Sequence, residues 1–221
     1  MRIRLTFSKQ GALRYAGHLD LHNLWERAAR RAALPLAYSQ GFHPQPKIQL
    51  ACALPLGFSS RAEMVDIWLK EDCEISKLRA DLQSMLPSGI QILSIEQVDD
   101  RAPALQTLMV SAEYEVTIPA ELASGLDGKL AALMDASSLP RERRGKQYDL
   151  RLLIEEITPL RLPPNASHLG GVARSAEGGV RFLLRLAARA GATGRPEEVL
   201  AALGISAEET RVERTRLIFR G

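Results

Sequence analysis

The sequence predicts an α+β protein made of two β-α-β-β-α-β halves in tandem, each an antiparallel sheet with two helices on one face. Three observations carry this. Apolar and polar residues alternate strictly in "RIRLTFS", "EMVDIWLK" and Val110–Ile118, the period of a half-buried strand. Between the first-half strands lie two stretches with apolar residues at helical spacing. The same order of periods then recurs, with weaker fidelity, beyond an acidic stretch that contains Pro103.

Taken in order, Ile3, Leu5 and Phe7 share one strand face and Arg2, Arg4 and Thr6 the other, before a turn at Lys9, Gln10 and Gly11. "HLDLHNLWERAARRAAL" sets Leu21, Leu24, Ala28 and Ala32 on one helical face. Asp20 near its start and Arg27, Arg30 and Arg31 near its end complement the helix dipole, and Pro35 ends it. "PKIQLACALPL" is the second strand. After a turn over 57–61, Val65, Ile67 and Leu69 oppose Asp66, Trp68 and Lys70 in the third. "CEISKLRADLQSML" has its apolar stripe at Ile75, Leu78, Leu82 and Met85 and stops at Pro87 and Gly89, and "IQILSIEQV" is the fourth strand. This is the split-βαβ or ferredoxin-like order, assigned to a first domain over residues 1–100, with "QVDDRAPAL" as a linker.

In the second half, Val110, Ala112, Tyr114, Val116 and Ile118 alternate, and "AELASGLDGKLAALMDA" is a helix broken in pattern at Gly125 and Gly128. "KQYDLRLLIEEITPL" reads as one strand with Tyr148, Leu150, Leu152 and Ile154 on one face, and "GVRFLLRLAA" as the next. "RPEEVLAALG" is a short helix with Pro196 near its first position and Gly204 at its stop, and "ETRVERTRLIFRG" closes the set. A second ferredoxin-like domain is thus assigned to residues 106–221. Residues 138–146 and 158–179 give no clear period. The latter is too long for a hairpin loop, so it is either functional or mobile.

Composition narrows the classes. With 46% hydrophobic and 25% charged residues the chain reads as globular, not disordered. It has no run of apolar residues long enough to span a bilayer and no apolar leader at its start, so the expectation is a cytoplasmic protein that does not enter a membrane. Cys52 and Cys73 are too few for a four-iron cluster or a cysteine-rich zinc site, and Cys52 reads as a buried small hydrophobe. Residues 1–50 hold eight Lys/Arg against two Asp/Glu, while residues 51–100 hold four against nine. A basic end of this kind suits phosphates or an acidic partner, or is a solvated surface.

The stretch "YSQGFHPQPKIQLACALPLG" concentrates hydrogen-bonding side chains. Gln40, His43 and Lys47 stand among Pro44, Pro46 and Gly41, which stiffen and shape the loop. It is either the donor-rich lip of a recognition site or a stiff crossover covering a sheet edge. His18, Asp20 and His22 form H-x-D-x-H. The two histidines share a helical face and Asp20 does not, so a metal there would need another ligand; the alternative is that His18 and Asp20 organise the helix start. No serine, cysteine or carboxylate is visibly paired with His43 for acid–base work. "RERRGKQYDLR" offers Arg144, Lys146 and Arg151 to a phosphate backbone, or is a solvated basic turn. Walker A, Rossmann and G-x-S-x-G patterns do not occur.

Several of these motifs carry a resemblance. "F-S-K" at Phe7–Lys9, "H-L-D-L" at His18–Leu21, "E-R-A-x-R-R-A" at Glu26–Ala32 and "Y-S-Q-G-F-H-P-x-P-K-I" at Tyr38–Ile48 resemble the radical-SAM-linked protein family of bacteria. So do "A-L-P-L-G" at Ala53–Gly57, "E-M-V-D-I" at Glu63–Ile67 and "K-x-Y-D-L-R" at Lys146–Arg151, where the family often continues with proline and this chain has Leu152. The resemblance implies an accessory protein beside a radical SAM enzyme, in its free-standing form. This chain lacks C-x-x-x-C-x-x-C, so the iron–sulfur cluster and S-adenosylmethionine are expected only in the partner. The tandem layout is also similar to that of RNA-processing enzymes, by analogy of fold alone.

The resulting expectation is an adaptor that presents RNA or an RNA-associated substrate to that enzyme. His18, Asp20, Gln40, His43 and Lys47 would lie together where the loop folds back over the start of the first helix, and Arg144, Lys146 and Arg151 would add a basic surface. The alternatives are an RNA-processing or RNA-modifying enzyme using His43 or His18, and a purely structural subunit of a radical SAM complex.

Overall fold

The structure, a computed structural model, describes residues 1–160 and 179–220. It is a mixed α+β fold with mainly antiparallel pairing, divided into two compact units: Met1–Met109 together with the chain from Phe219 onward, and Val110–Ile218. The 158–179 segment singled out above lies outside the described residues except at 158–160 and 179.

In the first unit β1 (Arg2–Lys9) is central. It pairs antiparallel with β3 (Ser59–Trp68) on one side and β4 (Ile90–Val98) on the other, and β2 (Ile48–Leu50) pairs antiparallel with β3. The strand order is therefore β2-β3-β1-β4. The alternation of β1 sends Ile3, Leu5 and Phe7 into a core shared with Val65, Ile67 and Ile92 of the sheet, Leu21, Trp25 and Ala29 of α1 (His18–Arg31), and Leu78 and Leu82 of α2 (Ile75–Met85). Phe7 and Trp25 meet edge to face with centroids 4.9 Å apart. The second strand is shorter than its apolar run suggests. Ala51 N–H still donates to the Met64 carbonyl at 3.0 Å, but Pro55 has no N–H to offer and the chain turns at Gly57, whose φ is +87°.

The opposite face of β1 and β3 carries a buried charge cluster. Asp66 is fully buried. It accepts from Arg2 Nε at 3.1 Å and Nη2 at 2.5 Å, and from Arg4 Nε at 2.9 Å and Nη2 at 3.0 Å. The Arg2 guanidinium also stacks on Trp68 at 4.6 Å and donates to the carbonyls of Ala102 and Pro103. The stretch read as a linker thus belongs to the first unit. It contains α3 (Leu105–Leu108), in which Leu105 is buried and Gln106 Nε2 donates to the Leu50 carbonyl.

The second unit places β5 (Met109–Ile118) between β9 (Val180–Arg189) and β11 (Arg211–Phe219), with β8 (Ile154–Leu160) antiparallel on the far side of β9. Phe182, Leu184 and Leu186 of β9 are buried, as are Leu126, Leu130 and Leu133 of α4 (Leu126–Asp135) and Val199 and Leu200 of α5 (Pro196–Ala202). Gly125, left-handed at φ +66°, starts α4 later than the sequence pattern does. β10 (Ala192–Thr193) folds back on the end of β9.

One strand assignment is corrected. Residues 146–160 are not a single strand, and Tyr148, Leu150, Leu152 and Ile154 do not share a face. β6 (Pro140–Arg143) and β7 (Lys146–Asp149) form a hairpin, and a 3-10 turn at Arg151–Leu153 separates β7 from β8. The break comes from Asp149: its Oδ1 accepts the N–H groups of Leu139 and Arg151, which pulls the chain into a turn that buries Leu150 and exposes Leu152.

Removing the carboxylate at Asp66 leaves the buried Arg2 guanidinium and the partly exposed Arg4 guanidinium facing each other without a counter-charge. Asp66→Ala should lower unfolding free energy by about 3–5 kcal/mol, the usual cost of breaking a buried pair, measured by urea denaturation; a loss below about 1 kcal/mol would show that the cluster is not structural.

Candidate functional site

The residues from Pro35 to Lys47 fold as a tongue rooted on the end of β3. Ala37 N–H donates to the Trp68 carbonyl at 2.8 Å, Trp68 N–H to the Lys47 carbonyl at 3.0 Å, and Lys47 N–H to the Ala37 carbonyl at 2.8 Å. Further out, Tyr38 bridges Pro46, Ser39 N–H donates to the Gln45 carbonyl at 2.8 Å, and Gln45 N–H to Ser39 Oγ at 3.0 Å. Only Gln40–Pro44 remain as a tip, turned by Gly41 at φ +132°. Tyr38 lies between the Arg30 guanidinium, 5.8 Å from its ring, and the Lys70 ammonium, 5.6 Å away. Gln40, Phe42, His43 and Lys47 are all exposed.

The opposite end of the first unit has a different character. Asp20 Oδ2 accepts from the Gly17 N–H at 2.9 Å and so caps α1; Gly17 has no side chain to cap in return. His18, the first helical residue, is exposed beside it. Tyr15, Leu19 and Leu56 are large apolar side chains left mostly in solvent. Leu56 and Tyr15 belong to one surface: a Cβ built on Gly17 would stand 3.9 Å from Leu56 Cδ2, one on Gly57 would stand 3.9 Å from Tyr15 Cε1, and Gly57 N–H donates to the Arg14 carbonyl. Between α1 and the end of α2 runs a cleft of about 560 Å³ lined by Leu13, Leu24, Arg27, Arg31 and Met85. Among its described lining residues the one carboxylate is the capping Asp20.

The expected meeting of His18 and Asp20 with Gln40, His43 and Lys47 is corrected by this geometry. β1 runs from its pairing with Trp68 at Arg2 to its pairing with Ser60 at Lys9. The start of α1 follows the Lys9 end, and the tongue hangs from the Trp68 end. His18 and Arg30, which borders the tongue, are about 18 Å apart along the α1 axis at about 1.5 Å per residue. The loop does not fold back over the start of the helix because its own hydrogen bonds close it onto β3.

In the second unit Arg144 and Lys146 lie exposed at the hairpin tip, where Arg144 at φ +53° and Gly145 at φ +74° form a two-residue turn of the mirror-image kind that suits strand twist. Arg151 is used differently. Its Nε donates to the Met134 carbonyl at the end of α4 and its Nη1 to the Ile154 carbonyl, each at 3.0 Å. The motif at Lys146–Arg151 therefore works largely as a structural clip, with the Asp149 carboxyl held below its ordinary pKa by the Leu139 N–H, Ser138 and Arg151. Beside it, Arg143 forks onto Glu198 (Nε–Oε1 2.9 Å) and stacks on Tyr148. Burial first and Glu198 second push the Tyr148 hydroxyl up, and burial pushes up Glu197, whose Oε2 has no hydrogen-bond partner.

Cys52 is half-buried, not the fully buried hydrophobe expected. Among the described residues no group of three His, Cys, Asp or Glu side chains is placed to hold a metal ion, and no helix is long and apolar enough to cross a membrane. Residue-type reasoning passed over Phe42, Tyr15, Leu19 and Leu56, because such side chains are usually core.

The first unit thus carries a hydrogen-bonded tongue at one end and exposed apolar side chains at the other. A family model described as "Uncharacterized protein conserved in bacteria (DUF2344)" matches residues 2–192, and the chain belongs to that family. No curated protein matches it.

Two measurements check the assignments in the second unit. Arg151→Ala should destabilise by about 1.5–3 kcal/mol, the range for hydrogen bonds from a charged donor, with Arg151→Lys recovering only part, whereas Arg144→Gly and Lys146→Ala should stay within about 0.5 kcal/mol of wild type. Glu197 has a raised pKa, so its favourable contribution is complete below the unfolded-state pKa and is lost as pH rises through the folded-state value. Glu197→Gln should therefore unfold at higher urea than wild type at neutral pH, the gap closing in acid; an equal gap at both pH values would remove burial of this carboxyl as the cause.

Proposed function

We propose that this protein is an accessory adaptor that works with a radical SAM enzyme and binds RNA or an RNA-associated substrate. The observation that carries the adaptor reading is the separation, along α1, of two unlike surfaces: Tyr15, Leu19 and Leu56 at one end, and Gln40, Phe42, His43 and Lys47 at the other. A catalytic site gathers its polar groups, whereas a linker of two partners keeps its contact surfaces apart. The apolar end suits a protein partner, since exposed apolar side chains grouped on one surface, here Tyr15 and Leu56 with Leu19 on the adjoining turn of α1, mark such contacts. The tongue suits a polar ligand, with Lys47 as its cation. Pairing with a radical SAM enzyme rests on the sequence resemblance, with the cluster and S-adenosylmethionine in the partner and the complex in the cytoplasm. Arg144 and Lys146 offer a further basic contact from the second unit.

The ferredoxin-like reading of both halves, as domains over residues 1–100 and 106–221, is supported by the antiparallel order β2-β3-β1-β4 and by the corresponding order β8-β9-β5-β11.

Affinity capture of the tagged chain from an anaerobic bacterial lysate, with the retained proteins and RNA both identified, tests the proposal. The expected partner carries C-x-x-x-C-x-x-C, and Leu19→Asp with Leu56→Asp should release it while retaining RNA. Lys47→Ala should weaken RNA binding and lower its salt slope by about one. Capture of neither an iron–sulfur enzyme nor RNA would overturn the reading, and RNA turnover that His43→Ala abolishes would replace it with an enzyme.

A further inference from the structure

Phe42 is the most exposed large apolar side chain described, with a relative accessibility of 102%. Its position is costly in water unless something covers the ring. The tongue holds it there at small entropic expense, since Pro44, Pro46 and the Ser39–Gln45 hydrogen bonds already order the stem. Its neighbours decide what could cover it. Gln40, His43 and Gln45 are exposed and polar, and no carboxylate occurs from Pro35 to Ile48. The other large exposed apolar side chains of this unit, Tyr15, Leu19, Leu56 and Leu93, lie at the far end or on β4. A protein-docking surface has a contiguous apolar centre with a polar rim. Here the apolar group is a single ring flanked by amide and imidazole groups, with Lys47 at the stem. That arrangement fits one flat, polar-edged π-system bearing negative charge nearby, which is an unpaired nucleobase on its phosphate backbone.

We infer that Phe42 is the stacking platform for an unpaired base, so that the tongue takes single-stranded RNA, with Gln40 and His43 at the base edge and Lys47 on the backbone. This rests on the RNA half of the proposed function and adds the strandedness and the anchoring residue. Duplex RNA keeps its bases stacked on each other and offers the ring no face.

The test is fluorescence anisotropy of the full chain with a labelled oligouridylate of about 8–12 nucleotides and with a hairpin duplex of similar length, in about 50 mM salt. Wild type should prefer the single strand. Phe42→Ala should weaken that binding about tenfold, the effect of losing one stacked base. Phe42→Leu separates π-stacking from apolar contact: it should fall with Phe42→Ala, and Phe42→Trp should retain binding and show quenched indole emission in the complex. Because the ring touches no core residue, circular dichroism should be unchanged in all three. Wild type with no affinity for either RNA overturns the RNA reading and this inference with it. Equal affinity of wild type and Phe42→Ala for the single strand, or full binding by Phe42→Leu, overturns the inference alone and leaves RNA binding standing.

Discussion

The two hydrogen-bonded arginines on Asp66 set the frame for the first unit. A carboxylate with no access to water needs its charge met on site, and Arg2 and Arg4, two residues apart on one face of β1, meet it from the neighbouring strand. Slipping β1 against β3 by one residue would turn both arginines into the hydrophobic core, so the pair fixes register more sharply than apolar alternation could alone. Arg2 also stacks on Trp68, and the backbone of Trp68 holds both stems of the tongue, Ala37 and Lys47. One buried charge cluster therefore orders the strand pair, the segment after β4 and the base of the exposed loop.

That frame explains why the unit has two ends with different chemistry. In an antiparallel sheet the chain leaves β1 at one edge, and α1 carries it to the other before β2 begins. Residues close in sequence on either side of α1 are thereby kept a helix length apart. The start of α1 gains an exposed apolar side chain beside His18 and Asp20 because the turn over 53–57 brings Leu56 over Gly17. The tongue is polar because its backbone groups are spent on itself and on β3, which leaves its side chains outward.

Much of the fold was legible. β1, β3 and β5 follow from period-two alternation, and α1 from its apolar stripe, its acidic start and its basic end. The misreadings share a cause, the local hydrogen bond that periodicity cannot show. Lys146–Leu160 alternates well enough for one strand, yet two N–H groups on Asp149 break it. The loop at Tyr38–Lys47 reads as a stiff lip folded back over the start of α1, yet Ser39 and Gln45 close it into a tongue that points from the β3 end. Its most exposed member, Phe42, is of a residue type that sequence reasoning assigns to cores, so only coordinates could single it out.

The charge balance shows how far composition can mislead about a ligand surface. A chain of sequence pI near 9.0 suggests abundant free cations. Yet Arg2 and Arg4 are committed to Asp66, Arg143 to Glu198, Arg181 to Glu115, and Arg185 to Glu113 and Glu156, while Arg151 ties α4 to the start of β8. An arginine already forked onto a carboxylate offers little to a phosphate, since binding would first have to break a charge-assisted pair. Exposed side chains outside those pairs remain for an anion, Lys47 on the tongue and Arg144 and Lys146 on the hairpin tip among them. The tongue itself holds one cation over residues 35–48, Lys47, so tight binding of a nucleic acid there would have to draw on a term other than charge, and the exposed Phe42 ring is the tongue's group best suited to provide it.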